Sequence, residues 1–386
     1  MKKIMLIIIT LFLFINVQGL EINSKNAILY NMNDKSVIYE KNSEEVVQIA
    51  SLTKIVTAIT VIENVDNIDT QVTITNDMLK GLNGYVKVGL KRGDKLTYLD
   101  LLYALMLPSA GDAAQALAIS TSGSIEEFSN LMNQTVKKIG VTNSKFDNPI
   151  GKDSKNNYST ASDLAKILIY SLDNEIFKTI FNSNTYKIKS INKTVKKTLS
   201  SYKTDTSIIN GAKTGFTYDA GRCLASTSTL EDVDYLLITL GADSNSEYHA
   251  IDTIKLYEYY STNYGYINIL SKDQLLKTIE VKHSKTKTYD IISKDDINLY
   301  LEKSTNKENL IYKYDGIEQL NKDIKLGDKL GTVTILNNED VLYTYDVYLD
   351  IDIKYYNYPL YISITIIILL LTTLKLKFKK KKRKKR

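Results

Sequence analysis

Cysteine occurs once in this chain of 386 residues, and histidine only twice. A lone Cys223 cannot close an internal disulfide, whatever the redox state of the compartment. With no C-x-x-C and only His249 and His283, a zinc site or a Ser-His-Asp triad has little to build on. No metal and no cofactor are therefore expected. Each histidine reads as an ordinary surface or structural residue, and Cys223, flanked by Leu224 and Ala225, as a small buried hydrophobe. Tandem repeats at a fixed period are also absent.

The formal net charge of +6 is concentrated at the ends. Ten basic residues lie from Lys375 onward, and Lys2 and Lys3 open the chain. Without them, 38 basic side chains face 44 acidic ones. A body of that sign is a poor match for nucleic acid, which is not expected as a partner. Met1-Lys2-Lys3 precedes an apolar run from Ile4 to Val17, the pattern of a secretory signal with a passable cleavage site at Val17-Gln18-Gly19. An uncleaved N-terminal anchor is the alternative. Near the other end, residues 360–374 are apolar or hydroxylated, and snorkelling by Lys375 and Lys377 extends the span to Phe378. Tyr355, Tyr356, Tyr358 and Tyr361 stand where an interfacial aromatic belt belongs, and the wholly basic 379–386 segment points to the cytoplasm. A surface-lying amphipathic helix fits poorly, because the run has no polar face. The expected layout is a signal at 1–19, a transmembrane anchor at 354–378 with membrane lipid as partner, and a basic cytoplasmic tail at 379–386. The bulk of the chain is expected outside the membrane it is tethered to.

Between the ends, alternating apolar residues around Asn33-Asp34 suggest a hairpin over 25–42. Helical periodicity follows to about Phe181, including 99–107, 113–119, 164–172 and a segment from Phe128 opened by the Ser124-x-x-Glu127 capping pattern. Strand character returns at 185–188, 221–227 and 235–241, and a helix is expected from about Ala250 to Tyr260. Strands first, helices in the middle and strands last predict an α/β (α+β) fold. In it, an antiparallel sheet pairs its two sequence ends across an inserted helical block. Past Ser271 the texture changes to short alternating runs at 276–281, 288–292, 310–314, 331–335 and 343–349. The reading is a larger domain at 20–270 and a small β-rich domain at 271–353, the second a spacer above the membrane.

Ser51-Leu52-Thr53-Lys54 carries the chemistry. S-x-x-K places a hydroxyl and an amine one helical turn apart on one face. A hydroxyl attacks only when an adjacent base takes its proton, and lysine at this spacing can be that base. The tetrapeptide alone says little, since it recurs at Ser190, Ser200, Ser284 and Ser304. Ser51 differs in its apolar lead-in, Val46-Val47-Gln48-Ile49-Ala50, in the apolar helix behind it, and in the single Lys213-Thr214-Gly215 downstream. An unperturbed lysine titrates near ~10.4, so Lys54 must be pushed down before it can accept a proton. Burial, the helix N-terminus and nearby Lys213 would all act in that direction.

Taken with Leu107-Pro108-Ser109-Ala110-Gly111-Asp112, Gly93-Asp94-Lys95-Leu96-Thr97, Phe146 to Gly151 and Tyr158-Ser159-Thr160-Ala161, these blocks resemble the serine-type D-alanyl-D-alanine carboxypeptidases, low-molecular-mass penicillin-binding proteins of β-lactamase/transpeptidase-like fold. The resemblance implies Ser51 as nucleophile, Lys54 as base and Ser109 as proton relay. It implies Lys213, Thr214, Gly215 and Phe216 as the substrate-binding strand, with Lys213 charged and an oxyanion hole made of the Ser51 and Phe216 amides. Its implied partners are peptidoglycan stem peptides ending in D-alanyl-D-alanine, and β-lactams. The sequence departs at two points. Gly111 stands where relatives carry a carboxamide, with Asp112 beside it expected to cap the following helix. Residues 242–249, just after Gly241, hold no arginine to clamp a substrate carboxylate, although Arg222 lies just past the K-T-G strand as substitute or as packing. A D,D-endopeptidase, a β-lactamase, or a wall-binding homologue without turnover are the alternatives. No E-x-x-L-N of the lactamase kind is evident.

Overall fold

The computed structural model describes residues 20–383; the expected signal lies outside them. The described chain forms two compact units, one running to Gly265 and the other from Tyr266.

The first unit opens with the expected hairpin, β1 (Asn26–Asn31) and β2 (Ser36–Lys41), and a short 3-10 turn then leads into α1 (Thr53–Asn64). A two-stranded ribbon of β3 (Gln71–Thr73) and β4 (Lys95–Thr97) precedes α2 (Tyr98–Met106). Thr97 and Asp100 form a reciprocal capping box at the start of α2, leaving no orphan donor there. Next come α3 (Gly111–Ser122) and α4 (Ile125–Ile139), the latter capped by Ser124 accepting from the Glu127 amide. Gly123 and Gly140 end these two helices at positive φ of 86° and 90°, a conformation that spares glycine the Cβ clash. The block is completed by α5 (Ala161–Leu172) and α6 (Glu175–Asn182). The strand expected at 185–188 exists as β5 (Thr185–Ile188). It pairs with β6 (Lys193–Lys196) in a ribbon of its own, outside the main sheet.

Three long strands follow, β7 (Gly211–Thr217), β8 (Gly221–Leu230) and β9 (Val233–Ala242), and then α7 (Tyr248–Asn263). The five-stranded sheet has the order β2-β1-β9-β8-β7. Antiparallel pairing of β1 with β9, from Asn26↔Leu240 to Asn31↔Tyr235, joins the two sequence ends across the helical block. Strand alternation sorts the two faces. Ile28, Tyr30, Ala225, Leu236 and Ile238 enter the core shared with the helical block. On the other face, Ser226 meets Tyr257 of α7 at 2.9 Å and Thr239 meets Thr253 at 3.4 Å. With both faces covered, β1 is buried along its whole length. Cys223 is buried in β8 with a free thiol, pushed up to about 12 by burial.

The second unit is built from β10 (Tyr264–Leu270), β11 (Leu275–Val281), β12 (Thr288–Ile292), β13 (Ile297–Glu302), β14 (Leu310–Gly316), β15 (Gln319–Leu320), β16 (Lys329–Asn337) and β17 (Asp340–Tyr348). Its small sheets are β10-β13, β12-β11-β15 and β14-β16-β17, with β11 and β15 parallel. Ile279, Val281, Ile291, Leu320, Val333 and Ile335 form its core. The chain then enters α8 (Tyr358–Arg383). Among the described residues it is the one helix long and apolar enough to cross a membrane, over Tyr358–Lys381. At ~1.5 Å per residue that stretch exceeds the ~30 Å hydrocarbon core of a bilayer.

Candidate active site

Ser51 sits in the 3-10 turn Ala50–Leu52 and Lys54 in the first turn of α1, so S-x-x-K straddles the junction. Ala50 is held at φ 48°, a strained backbone for a residue with a Cβ, and this turn presents Ser51 to the cleft. The Lys54 Nζ lies 3.0 Å from Ser51 Oγ and donates to the Ile150 carbonyl at 2.5 Å. Lys54 is 1 % exposed. Burial lowers its pKa to about 7, and no carboxylate is paired with it to oppose that. A neutral amine in contact with a serine hydroxyl is the arrangement a general base needs.

The loop that supplies Ile150 is itself tightly organised. Asn148 Oδ1 accepts from the amides of Ile150, Gly151 and Lys152. Gly151 adopts φ +81°, and a Cβ there would lie 2.0 Å from the Ala50 carbonyl oxygen. Only glycine permits that approach. The Lys54 amine is therefore held by a main-chain carbonyl, which no side-chain motif announces.

Across the cleft, Ser109 is at φ 65°, a second strained residue at the site. Lys213 Nζ donates to Ser109 Oγ at 2.8 Å and to the Thr214 carbonyl at 2.7 Å. Lys213 is also fully buried, and its pKa is held well below the usual lysine range by burial and then by Lys54. Two buried ammonium groups at close quarters disfavour each other, and an incoming anion is what would restore the charge. Strand β7 is the outer strand of the sheet, so one side of its backbone faces away from β8. At Gly215 a Cβ would lie 3.1 Å from the Ser51 amide nitrogen, so β7 runs against the Ser51 turn. The structure thus brings Ser51 and Lys54 together, brings Ser109 and Lys213 together, and sets Gly215 of β7 against the Ser51 amide; Thr214 and Phe216 lie on the same strand.

Asp112 corrects a second expectation. The residue that precedes α3 is Ala110, without a side-chain cap. Asp112 lies inside the first turn, 1 % exposed, and binds chiefly the neighbouring loop. Its Oδ1 accepts from the Val88 amide at 3.1 Å and the Ala113 amide at 3.0 Å, and Oδ2 accepts from Gly89 at 2.8 Å and Leu90 at 3.1 Å. The Gly111 amide donates to the Val86 carbonyl at 2.7 Å. A Cβ at 111 would be in ordinary contact with Tyr85 and Leu82, so this loop closes over the place where the carboxamide is missing.

Arg222 pairs with Phe216 in the β7–β8 register. Its Nε donates to the Ser244 carbonyl at 3.1 Å and its guanidinium carbon lies 5.5 Å from the Phe216 ring centre. The Tyr202 phenol lies near enough to feel the Arg222 charge and is 2.9 Å from His249 Nε2. His249 is buried, and burial followed by the Arg222 charge lowers its pKa to about 4. It is a neutral support for Tyr202. This Arg222–Tyr202 group beside the K-T-G strand was only half legible in sequence, because its members are far apart in the chain.

Comparison with known proteins follows the same lines. A family model described as D-alanyl-D-alanine carboxypeptidase matches residues 14–244, and one described as penicillin-binding protein 5, C-terminal domain, matches residues 264–355. D-alanyl-D-alanine carboxypeptidase DacF of Bacillus subtilis is 26% identical over 86% of this chain and 86% of its own length. A D-alanyl-D-alanine endopeptidase of Escherichia coli is 29% identical over 58% of this chain and 72% of its own. The structure of the Streptomyces K15 DD-transpeptidase aligns with a TM-score of 0.58 at 29% identity, over 62% of this chain and 97% of that one. The carboxypeptidase DacD of Francisella tularensis shares the fold, with a TM-score of 0.70 at 21% identity over 87% of this chain and 95% of that one. Since the first family model spans more than half of the sequence and the α/β fold is that of the solved relatives, the chain belongs to the serine-type D-alanyl-D-alanine carboxypeptidase family of penicillin-binding hydrolases.

Proposed function

We propose that this protein is a membrane-anchored serine D-alanyl-D-alanine carboxypeptidase that trims the terminal D-alanine from peptidoglycan stem peptides. The observation that carries the reading is the buried Lys54 amine, without an ion pair among the described residues, 3.0 Å from Ser51 Oγ. Neutral Lys54 takes the Ser51 proton as Oγ attacks the carbonyl of the penultimate D-alanine, forming a C–O bond and an oxyanion. The oxyanion is received by the Ser51 and Phe216 amides, the first of which lies against Gly215. Collapse breaks the C–N bond. The proton passes from Lys54 by way of Ser109 to the leaving amine, and D-alanine departs. Water, deprotonated by the same lysine, hydrolyses the acyl-enzyme and restores Ser51. A β-lactam enters the first half of this cycle and is held as the acyl-enzyme.

The substrate carboxylate is received by Thr214, Lys213 and Arg222. The guanidinium, near Tyr202, supplies the cation that residues 242–249 lack. An anion docked there also favours a protonated Lys213. Residues 354–378 anchor the chain, residues 20–270 act as the catalytic domain on the outer side, residues 271–353 hold it above the membrane, and the basic tail at 379–386 is cytoplasmic. An endopeptidase acting on cross-linked stem peptides is the second reading, favoured by the endopeptidase relatives of Escherichia coli and Pseudomonas aeruginosa.

Labelling of membranes with a fluorescent penicillin, beside Ser51→Ala, tests the acyl-enzyme. D-alanine release from a pentapeptide, set against cleavage of a cross-linked dimer, separates the two activities. No label on wild-type protein would overturn the catalytic reading.

A further inference from the structure

The β11–β12 hairpin of the β-rich unit carries an unusual run at its tip. Residues 282–287, between β11 and β12, read Lys282-His283-Ser284-Lys285-Thr286-Lys287, with every side chain but Ser284 exposed. None of the three lysines is ion-paired among the described residues. The tip is not free to swing. Buried Ser284 forms a bridge with Tyr355, and its Oγ donates to the Lys354 carbonyl at 2.9 Å. The Tyr356 amide donates to the His283 carbonyl at 2.7 Å, and His283 Nδ1 lies 3.4 Å from the Tyr358 hydroxyl. The basic tip is therefore latched to the last residues before α8.

Between them is a cavity of about 570 Å³ lined by Lys282, His283, Lys287, Tyr356, Tyr358 and Glu280. Glu280 is the one carboxylate lining it, and it is engaged by the Gln319 side-chain amide. We propose that this hairpin and the entry to α8 form a seat for the phosphate headgroup of an anionic phospholipid. The proposal rests on the reading of α8 as a membrane span. If α8 spans, Tyr358 is at the level of the headgroups, and the latch brings three lysines and an imidazole to the same level. Phosphate oxygens then meet ammonium groups and tyrosine hydroxyls, while the tyrosine rings face the acyl boundary. Each lysine at an anionic surface strengthens association by about fivefold. The seat fixes how the β-rich unit stands on the lipid, which a single tether leaves open.

The chain contains no tryptophan, so Thr286→Trp installs a sole reporter at an exposed hairpin position. The full chain carrying it is reconstituted in zwitterionic vesicles, with or without phosphatidylglycerol, doped with a headgroup-spin-labelled lipid. Quenching is expected to rise several-fold with phosphatidylglycerol, to fall at high salt, and to disappear when Lys282, Lys285 and Lys287 are replaced by glutamine. Inorganic phosphate added to zwitterionic vesicles is expected to leave quenching low. Quenching that ignores the anionic lipid or the three substitutions overturns the seat, as does a phosphate effect equal to that of the lipid. A chain that fails to float with vesicles overturns the span and the seat together, whereas penicillin labelling reports the catalytic reading separately.

Discussion

Lys213 and Ser109, 104 positions apart in the chain, are joined by a hydrogen bond of 2.8 Å across the cleft. The bond links the outer strand β7 to the strained residue that opens the α3 segment. The second hydroxyl of the site is thereby fixed from the strand side, as the first is fixed from the helix side by Lys54. Each hydroxyl has its own lysine, and each lysine is buried. Burial lowers the pKa of both amines, which shapes the expected pH dependence.

Acylation should depend on pH through Lys54. Its pKa of about 7 is lowered by burial, so the neutral base predominates above that value and is lost below it. The second-order rate of penicillin acylation is expected to rise with pH and level off above a midpoint near 7. A rate independent of pH across that midpoint would show that another group accepts the proton.

Lys54→Met should abolish labelling while making the protein more stable. Below about 7 both folded and unfolded chains hold the proton, and the folded state bears the full penalty of a buried charge. As pH rises toward the ordinary lysine value, the unfolded chain also loses its proton and the penalty fades. The gain in Tm from Lys54→Met is thus expected to be largest at and below neutral pH and to shrink in alkali, on a scale of a few kcal/mol. Thermal melts of both proteins at several pH values check this.

Gly151→Ala should damage the site without touching a catalytic side chain. Positive φ and a clash with the Ala50 carbonyl act together there, and a loss of more than ~2 kcal/mol is expected. Because Ile150 holds Lys54, acylation by penicillin should fall even in the fraction that remains folded. An active variant of unchanged Tm would contradict the packing described.

Asp112→Asn leaves the shape of the side chain but removes acceptor capacity from a carboxylate that takes four amides. A buried donor facing donors costs about 1–3 kcal/mol. Increased proteolysis or hydrogen exchange within residues 82–90 is the expected local signature. An unchanged exchange pattern would mean that the loop is held by other contacts.

Arg222→Gln should lower kcat/KM for a peptide with a free terminal carboxylate by tenfold or more, consistent with loss of a charge-assisted contact of about 1.5–3 kcal/mol. A peptide with an amidated terminus should be hydrolysed about equally by both proteins. Equal losses on both substrates would assign Arg222 to packing against Phe216.

Much of this arrangement was legible in the chain because local pattern and long-range fold agree. The hairpin at 25–42, the capped helices and the pairing of first and last strands all follow from periodicity and turn residues. Short elements such as β3 and β15 escaped, being too brief to leave a periodic signal. At the site, Ser51, Lys54, Ser109 and Lys213 are found by residue type and spacing. The Ile150 carbonyl is not, since a main-chain group has no letter of its own. The full burial of Lys213 also escaped, because burial is a property of the packed molecule. Asp112 looked like a cap from its place before Ala113, yet its partners are the Val88 to Leu90 amides more than twenty positions upstream.

Cys223 carries a practical consequence. Sealed inside β8 with a thiol that resists ionisation, it can neither be oxidised readily nor exchange with other thiols. The folded protein is thus indifferent to reducing agents, and its maturation requires no thiol oxidant. A cysteine engineered at any exposed position would be its sole reactive sulfur, a chemically clean point of attachment on an otherwise inert surface.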